Sequence, residues 1–351
     1  MLASVALATV ACGSGAPGGG RASATPVPVS PVTALEVSPT PVRKAPPPKI
    51  EQPALAYDPS TQRVMAFGPE VIDGSAHPGV IDAWDGAAWS AVPTKGSIPG
   101  YQHAALAAEP GTTRLILFGG FAAGANSDQT WALQDGTWTN LNPRSHPTAH
   151  TSPALATDPA GGRLILFGGC CAAGSTPNGG SIPLAETWSW TGTDWMRLAP
   201  VHSPPGRLGA SLVWDPDGKQ MVLFGGSGGT SERQLYDTWA WDGSDWHQQQ
   251  SFDPGLATVQ SQTVAYDGVR HRVLLYVDLR GGDKSPGPAL WSWTAAGGWQ
   301  ADSAAAPPRG IQPTMTWDAA RKVVLLFNPL GVNQPPETWT WDGSTWTPRS
   351  G

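Results

Sequence analysis

The residue types capable of chemistry stand in the loops of this chain and form no contiguous motif. Tyr101 with His103, His150, Arg207, Gln260, and Arg309 with Gln312 each sit a few residues before a short apolar strand. Phenol, imidazole, guanidinium and amide groups brought together would hydrogen-bond a polar ligand, or supply an acid and a base. Arg233 and Tyr236 lie in a second set of loops and could join them. The seven histidines offer no His-x-His or His-x-x-x-His pair on one element. His146 and His150 are four apart, but that spacing puts two side chains on one face only in a helix. No Gly-x-Ser-x-Gly, phosphate loop or calcium loop occurs. No metal site and no cofactor is expected. Cys170 and Cys171 are adjacent; they fit a vicinal disulfide that stiffens their loop, the favoured reading, or two reduced buried thiols.

The elements that position these groups repeat. The first signature is an apolar strand ending in an aromatic: Phe67, Phe118, Phe167, Phe224, Tyr276 and Phe327, 49 to 57 residues apart. The second is a Trp-rich hairpin such as TWAWDGSDW, ending at Trp89, Trp138, Trp195, Trp246, Trp299 and Trp346. The Asp-Gly or Thr-Gly at its tip suits a tight turn. The third is a strand running into an acidic turn, as in ALAYDP (54–59) or SLVWDP (211–216). Six such units fill the chain from about residue 52 onward, and each supplies four strands. A four-stranded sheet of about 50 residues cannot cover both its faces, whereas sheets stacked round an axis cover one another.

The doublets Gly119-Gly120, Gly168-Gly169 and Gly225-Gly226, each followed by a strand with an aromatic and then a Trp, resemble the kelch repeat. The doublet is missing in blades one, five and six. The resemblance covers residues ~52–350 and implies an all-β, six-bladed kelch-type β-propeller with four antiparallel strands per blade. Galactose oxidase uses a propeller of this kind with copper held by two Tyr and two His, and sialic-acid mutarotases share the six-bladed form. No motif of either surrounds Tyr101, Tyr236, His103 or His150. How the ring closes is open: by plain packing, or by a strand from before residue 52.

Sixteen of the 18 tryptophans occupy the hairpins. A buried Trp removes ~150–250 Å² from water, about 4–6 kcal/mol gross. Their recurrence in every unit points to packing between blades, not to sugar stacking. Trp214 and Trp317, outside the hairpins, read as structural too. The position six residues before the turn acid is Gln52, His103, Ser152, Gly209, Ser261 or Gln312, a polar ring expected at the mouth of the channel. Long loops lie on that face, and loops on a rigid scaffold carry function. The ligand-binding set is therefore Tyr101, His103, His150, Arg207, Arg233, Tyr236, Gln260, Arg309 and Gln312. No catalytic residue is assigned.

Charged residues make up 14%, against ~25% in a typical soluble domain. The net charge of −6 argues against a nucleic-acid partner. Residues 1–12 are small and apolar and end in Val10-Ala11-Cys12, which resembles the lipobox of bacterial lipoproteins, although Thr9 stands where Leu is usual. This implies a signal-peptide end with a lipidated Cys12. Residues 13–49 are Gly- and Pro-rich and read as a disordered tether, ~100 Å long when extended. The propeller occupies 50–351. The expected function is an extracytoplasmic, membrane-anchored or secreted monomer that binds a protein or glycan at the cell surface. The rival is a sugar-acting or copper-radical enzyme with its site in the channel.

Overall fold

In the computed structural model the described residues are 47–349, apart from 73–74, 171–181, 229–232, 253–257, 281–286, 303–309, 311 and 330–334. They form six four-stranded antiparallel sheets, and in every one the strands lie side by side in chain order. Blade one is Ala54–Asp58, Arg63–Ile72, Ser75–Trp84 and Trp89–Ala91. Blade two starts at Ala105–Ala108, blade three at Ala154–Asp158 and blade four at Ser211–Asp215. Blade five starts at Thr258–Asp267 and blade six at Thr314–Asp318. The first strands neighbour one another all the way round, and blade one meets blade six. The architecture is a six-bladed β-propeller, with no helix among the described residues.

The sequence explains each strand. Second strands such as Leu115–Phe118 and Gln220–Phe224 are apolar at successive positions because both faces are covered. Each turn acid folds back on its own turn. Asp58 accepts from the Ser60 N–H at 2.9 Å, and Asp158 from the Gly161 N–H at 2.9 Å. All six turn acids are buried.

The joints between blades are made of aromatics. The second-strand Phe of one blade meets the last Trp of the next edge-to-face, as for Phe118–Trp195 at 5.3 Å and Phe167–Trp246 at 5.3 Å. That Trp also donates its indole N–H to a buried Thr of the preceding blade: Trp195 to Thr130, Trp246 to Thr187 and Trp299 to Thr238, at 2.8–2.9 Å. This Thr stands opposite the Phe in the sheet register. In blades one and five the same place holds Ile81 and Leu290. Of the six last tryptophans, the two that face them, Trp138 and Trp346, have a buried N–H with no partner.

The ring closes by the same joint. Phe327 of blade six meets Trp89 of blade one at 5.6 Å, and Trp89 donates to Thr338 Oγ1 at 2.8 Å. Among the described residues closure is therefore plain packing, with no strand exchanged between the ends. Removing the acceptor should leave a buried donor unsatisfied, which costs about 1–3 kcal/mol. We expect Thr338→Val and Thr187→Val to lower unfolding stability by that amount and equally, measured by urea denaturation. A much smaller loss at Thr338 would mean that the seam is looser than the other joints.

Candidate functional site

The first strands line a central channel whose two ends differ in chemistry. At the end where these strands begin is a mouth of about 340 Å³. The six positions read from the sequence, Gln52, His103, Ser152, Gly209, Ser261 and Gln312, all line it. In five of them the backbone is left-handed, with φ between 46° and 64°. This turn carries each incoming loop into its strand, and it costs a non-glycine residue on the order of 1–2 kcal/mol. The exception is Ser261. In blade five the first strand is ten residues long, and the chain passes a register shift between Val259 and Ser261 in place of the turn.

That irregularity brings in a residue the sequence reading did not single out. One position further along, five blades carry Pro or Ala (Pro53, Ala104, Pro153, Ala210 and Pro313), whereas blade five carries Gln262. The Gln262 amide lies over Gly225 of the neighbouring blade, where an added Cβ would stand 2.2 Å from its nitrogen. Both amide atoms of Gln262 are buried without a hydrogen-bond partner. So are Gln52 Oε1, Ser261 Oγ and Thr314 Oγ1, all on the same lining. Buried polar atoms are almost always paired, so this cluster marks a place made for a ligand or ordered water. No Asp, Glu, Lys or Arg stands among the described lining residues. Burial lowers the His103 pKa, so the ring is neutral at pH 7.

The other candidates are built into the walls. Tyr101 is buried, and its hydroxyl donates to Gln129 Oε1 at 2.6 Å. His150 is fully buried, edge-on to Phe118 at 6.0 Å, with Nε2 3.2 Å from Thr148 Oγ1. Arg207 is fully buried and binds Asp237 through two nitrogens, at 2.7 and 2.8 Å. It also donates to the carbonyls of Pro205 and Gly225 at 3.0 and 2.9 Å. Burial pushes the Asp237 carboxyl up, but hydrogen bonds and charge from Arg207 outweigh this and hold it below the usual range. Arg207 thus fastens a small sheet of Arg207–Leu208, Ser227–Gly228 and Arg233–Gln234. Leu208, Ser227 and Gln234 of this sheet form one wall of the mouth.

Tyr236 is half-buried against the cluster of Phe252 and Trp291. Among the described residues of the expected binding set, His103 and Gln312 line the mouth, and Tyr101, His150, Arg207 and Tyr236 do not. Arg309 and the side chains of Gln260 and Arg233 lie outside the described residues, as does Cys171. Cys170 is buried and disulfide-bonded, and it pairs by backbone with Thr151. Long-loop acids are spent on tryptophans: Trp188 donates to Glu186 at 2.9 Å and Trp339 to Glu337 at 3.1 Å. Among the described residues no three His, Cys, Asp or Glu converge on a metal-sized site.

Fold and site define a six-bladed β-propeller with a neutral, hydroxyl- and amide-lined channel mouth. No protein-family model matches the chain, and no curated protein matches it. Among solved structures 295 chains match, so the architecture by itself selects no function. One of them, described as "Structure of YjhT", is similar with a TM-score of 0.61 and 12% identity. The match covers 86% of this chain and 98% of that one. At that identity the likeness shows the fold alone.

His150 gives the wall a pH signature. Burial holds its pKa down at about 4, against a partial opposing pull from Glu186. The folded chain keeps the ring neutral, while the unfolded chain protonates it below about pH 6.5. Stability is therefore complete above pH 6.5 and falls as pH drops towards 4, by about 3 kcal/mol for a shift of this size. His150→Gln should flatten the stability profile between pH 6.5 and 4 in pH-stepped denaturation. An unchanged slope would mean that the ring is already hydrated in the fold.

Proposed function

We propose that this chain is a kelch-type binding propeller whose site is the channel mouth, and that it takes a neutral, hydroxyl-rich group such as a terminal sugar of a glycan. The observation that carries this reading is the cluster of unpaired buried amide and hydroxyl atoms on Gln52, Ser261, Gln262 and Thr314, in a lining without charge among its described residues. Sugar hydroxyls both donate and accept, as amide and hydroxyl side chains do, so each can satisfy the other. An anionic sugar would ask for a cation. Arg207, the buried cation among the described residues, is already held by Asp237. The copper-radical rival needs Tyr and His donors to converge, and Tyr101 and His150 each face into a wall instead.

The setting rests on sequence alone. We read Cys12 as the lipid attachment point and residues 13–49 as a tether that holds a monomeric propeller off an extracytoplasmic membrane face. Residues 1–46 lie outside the described residues. The pairing of Cys170 with Cys171 is proposed on the same footing.

A glycan array probed with the full chain, followed by calorimetry on the best hit, tests the proposal. Gln262→Ala should weaken binding about tenfold, the equivalent of about 1.4 kcal/mol. Gly225→Ala should do the same without touching a ligand, because its methyl displaces the Gln262 amide. A hit that ignores both changes, or arrays that bind only acidic sugars, would refute the reading. Turnover of the bound sugar, followed by NMR of its anomers, would favour the enzyme rival.

A further inference from the structure

The other end of the channel has the opposite character. There the last residues of the six first strands enclose about 480 Å³, within the range of small-molecule sites. No charged side chain lines it among the described residues. Four consecutive blades, four, five, six and one, place an aromatic at the residue before the turn acid: Trp214, Tyr266, Trp317 and Tyr57. Blades two and three have Ala108 and Thr157 there. The aromatics therefore form one continuous wall facing small residues. Trp317 is held in place across Gly268 of the preceding blade, with ring atoms 2.8 and 2.9 Å from where a Cβ would stand. The wall is thus pre-formed.

Negative charge stands behind it. The acids after Tyr57 and Trp214, Asp58 and Asp215, are capped by neutral donors: Ser60 and Thr61 on one, the Asp217 N–H and Gln220 on the other. The other four turn acids each have an Arg within 4.0 Å. At the rim the Tyr266 hydroxyl donates to Asp217, which also meets His271 Nδ1 at 3.1 Å. The hydroxyls of both tyrosines are pushed up, first by burial and then by the surrounding carboxylates.

We propose that this chamber is a second binding site, an aromatic cage for the trimethylammonium group of a small organic cation. The negative faces of indole and phenol rings attract a cation, and the attraction grows when water is excluded. A trimethylammonium group presents methyls, so it enters an apolar cavity without leaving polar atoms unpaired. A sugar fits poorly, because most of the lining is apolar and two of its hydroxyls are already used: Thr157 Oγ1 donates to the Ala108 carbonyl at 2.6 Å, and Tyr266 to Asp217. The ligand is recognised by charge and shape, and the site is independent of the mouth.

The test compares choline with 3,3-dimethylbutan-1-ol, which has the same shape and no charge, by calorimetry on the full chain. Choline should bind at least tenfold tighter, and this comparison needs no variant. Trp214→Leu and Trp317→Leu, which keep the cavity apolar, should each weaken choline at least fivefold, while Gln262→Ala leaves it unchanged. Phosphatidylcholine vesicles run alongside choline distinguish a headgroup from a free solute. Binding of either one supports the cage. Equal affinity for the uncharged alcohol, no binding of either choline at millimolar concentration or the vesicles, or loss of choline binding in Gln262→Ala overturns it.

Discussion

A sheet of four short strands has two apolar faces and no means of drying either alone. This constraint shapes the molecule. It is met by a joint between a strand-end aromatic and the indole of the next blade, with the indole N–H handed to a threonine next door at four of the six joints. Edge-to-face packing uses the attraction between ring edge and ring face, and the hydrogen bond removes the cost of burying a polar tip. Half of the recognition lies in each blade, so a blade without its neighbour keeps an exposed Phe and an unsatisfied Trp. The last joint, Phe327 with Trp89 and Thr338, has the same parts as the three joints that carry a threonine. A wheel closed in this way needs no strand shared between its ends.

Most of this could be read from the sequence because the repeat writes each joint several times. An aromatic at a strand end and a Trp after a turn say little once, but at six regular intervals they specify a register. The ring of residues six before the turn acid was legible for the same reason, since a short extended strand carries its first residue a fixed distance from its last. Direction was not legible. Tyr101, His150 and Arg207 stand near the mouth in sequence, and each is turned into a wall where it has a partner: Gln129, Thr148 and Asp237. Residue type and spacing do not tell an arginine that reaches for a ligand from one that ties two loops together. Only Asp237, 30 residues away, decides that for Arg207.

Trp214 and Trp317 show the reverse. Counted among the packing tryptophans by composition, they do pack between blades on one side, against the clusters around Trp241 and Trp341. Their other side borders the channel. A position beside the axis has two duties, because the joint is on one flank and open space on the other. Sequence shows that the residue is large and apolar, and it does not show what the second flank meets.

The unpaired polar atoms of the mouth gather in the adjoining blades five, six and one, and not in all six. A ring of identical blades would present the same short residues at every entry, and five blades do so, with Pro or Ala after a left-handed turn. Blade five gives up the turn and continues as strand, and the register shift at Ser261 turns a glutamine into the lumen where the others place a ring or a methyl. Its amide reaches across the boundary to a glycine that no side chain could replace without collision. The repeat thus supplies the rigid frame and a polar ring, and the departure from it adds the Gln262 amide. In a propeller the informative residue is the one at which a blade disagrees with the other five.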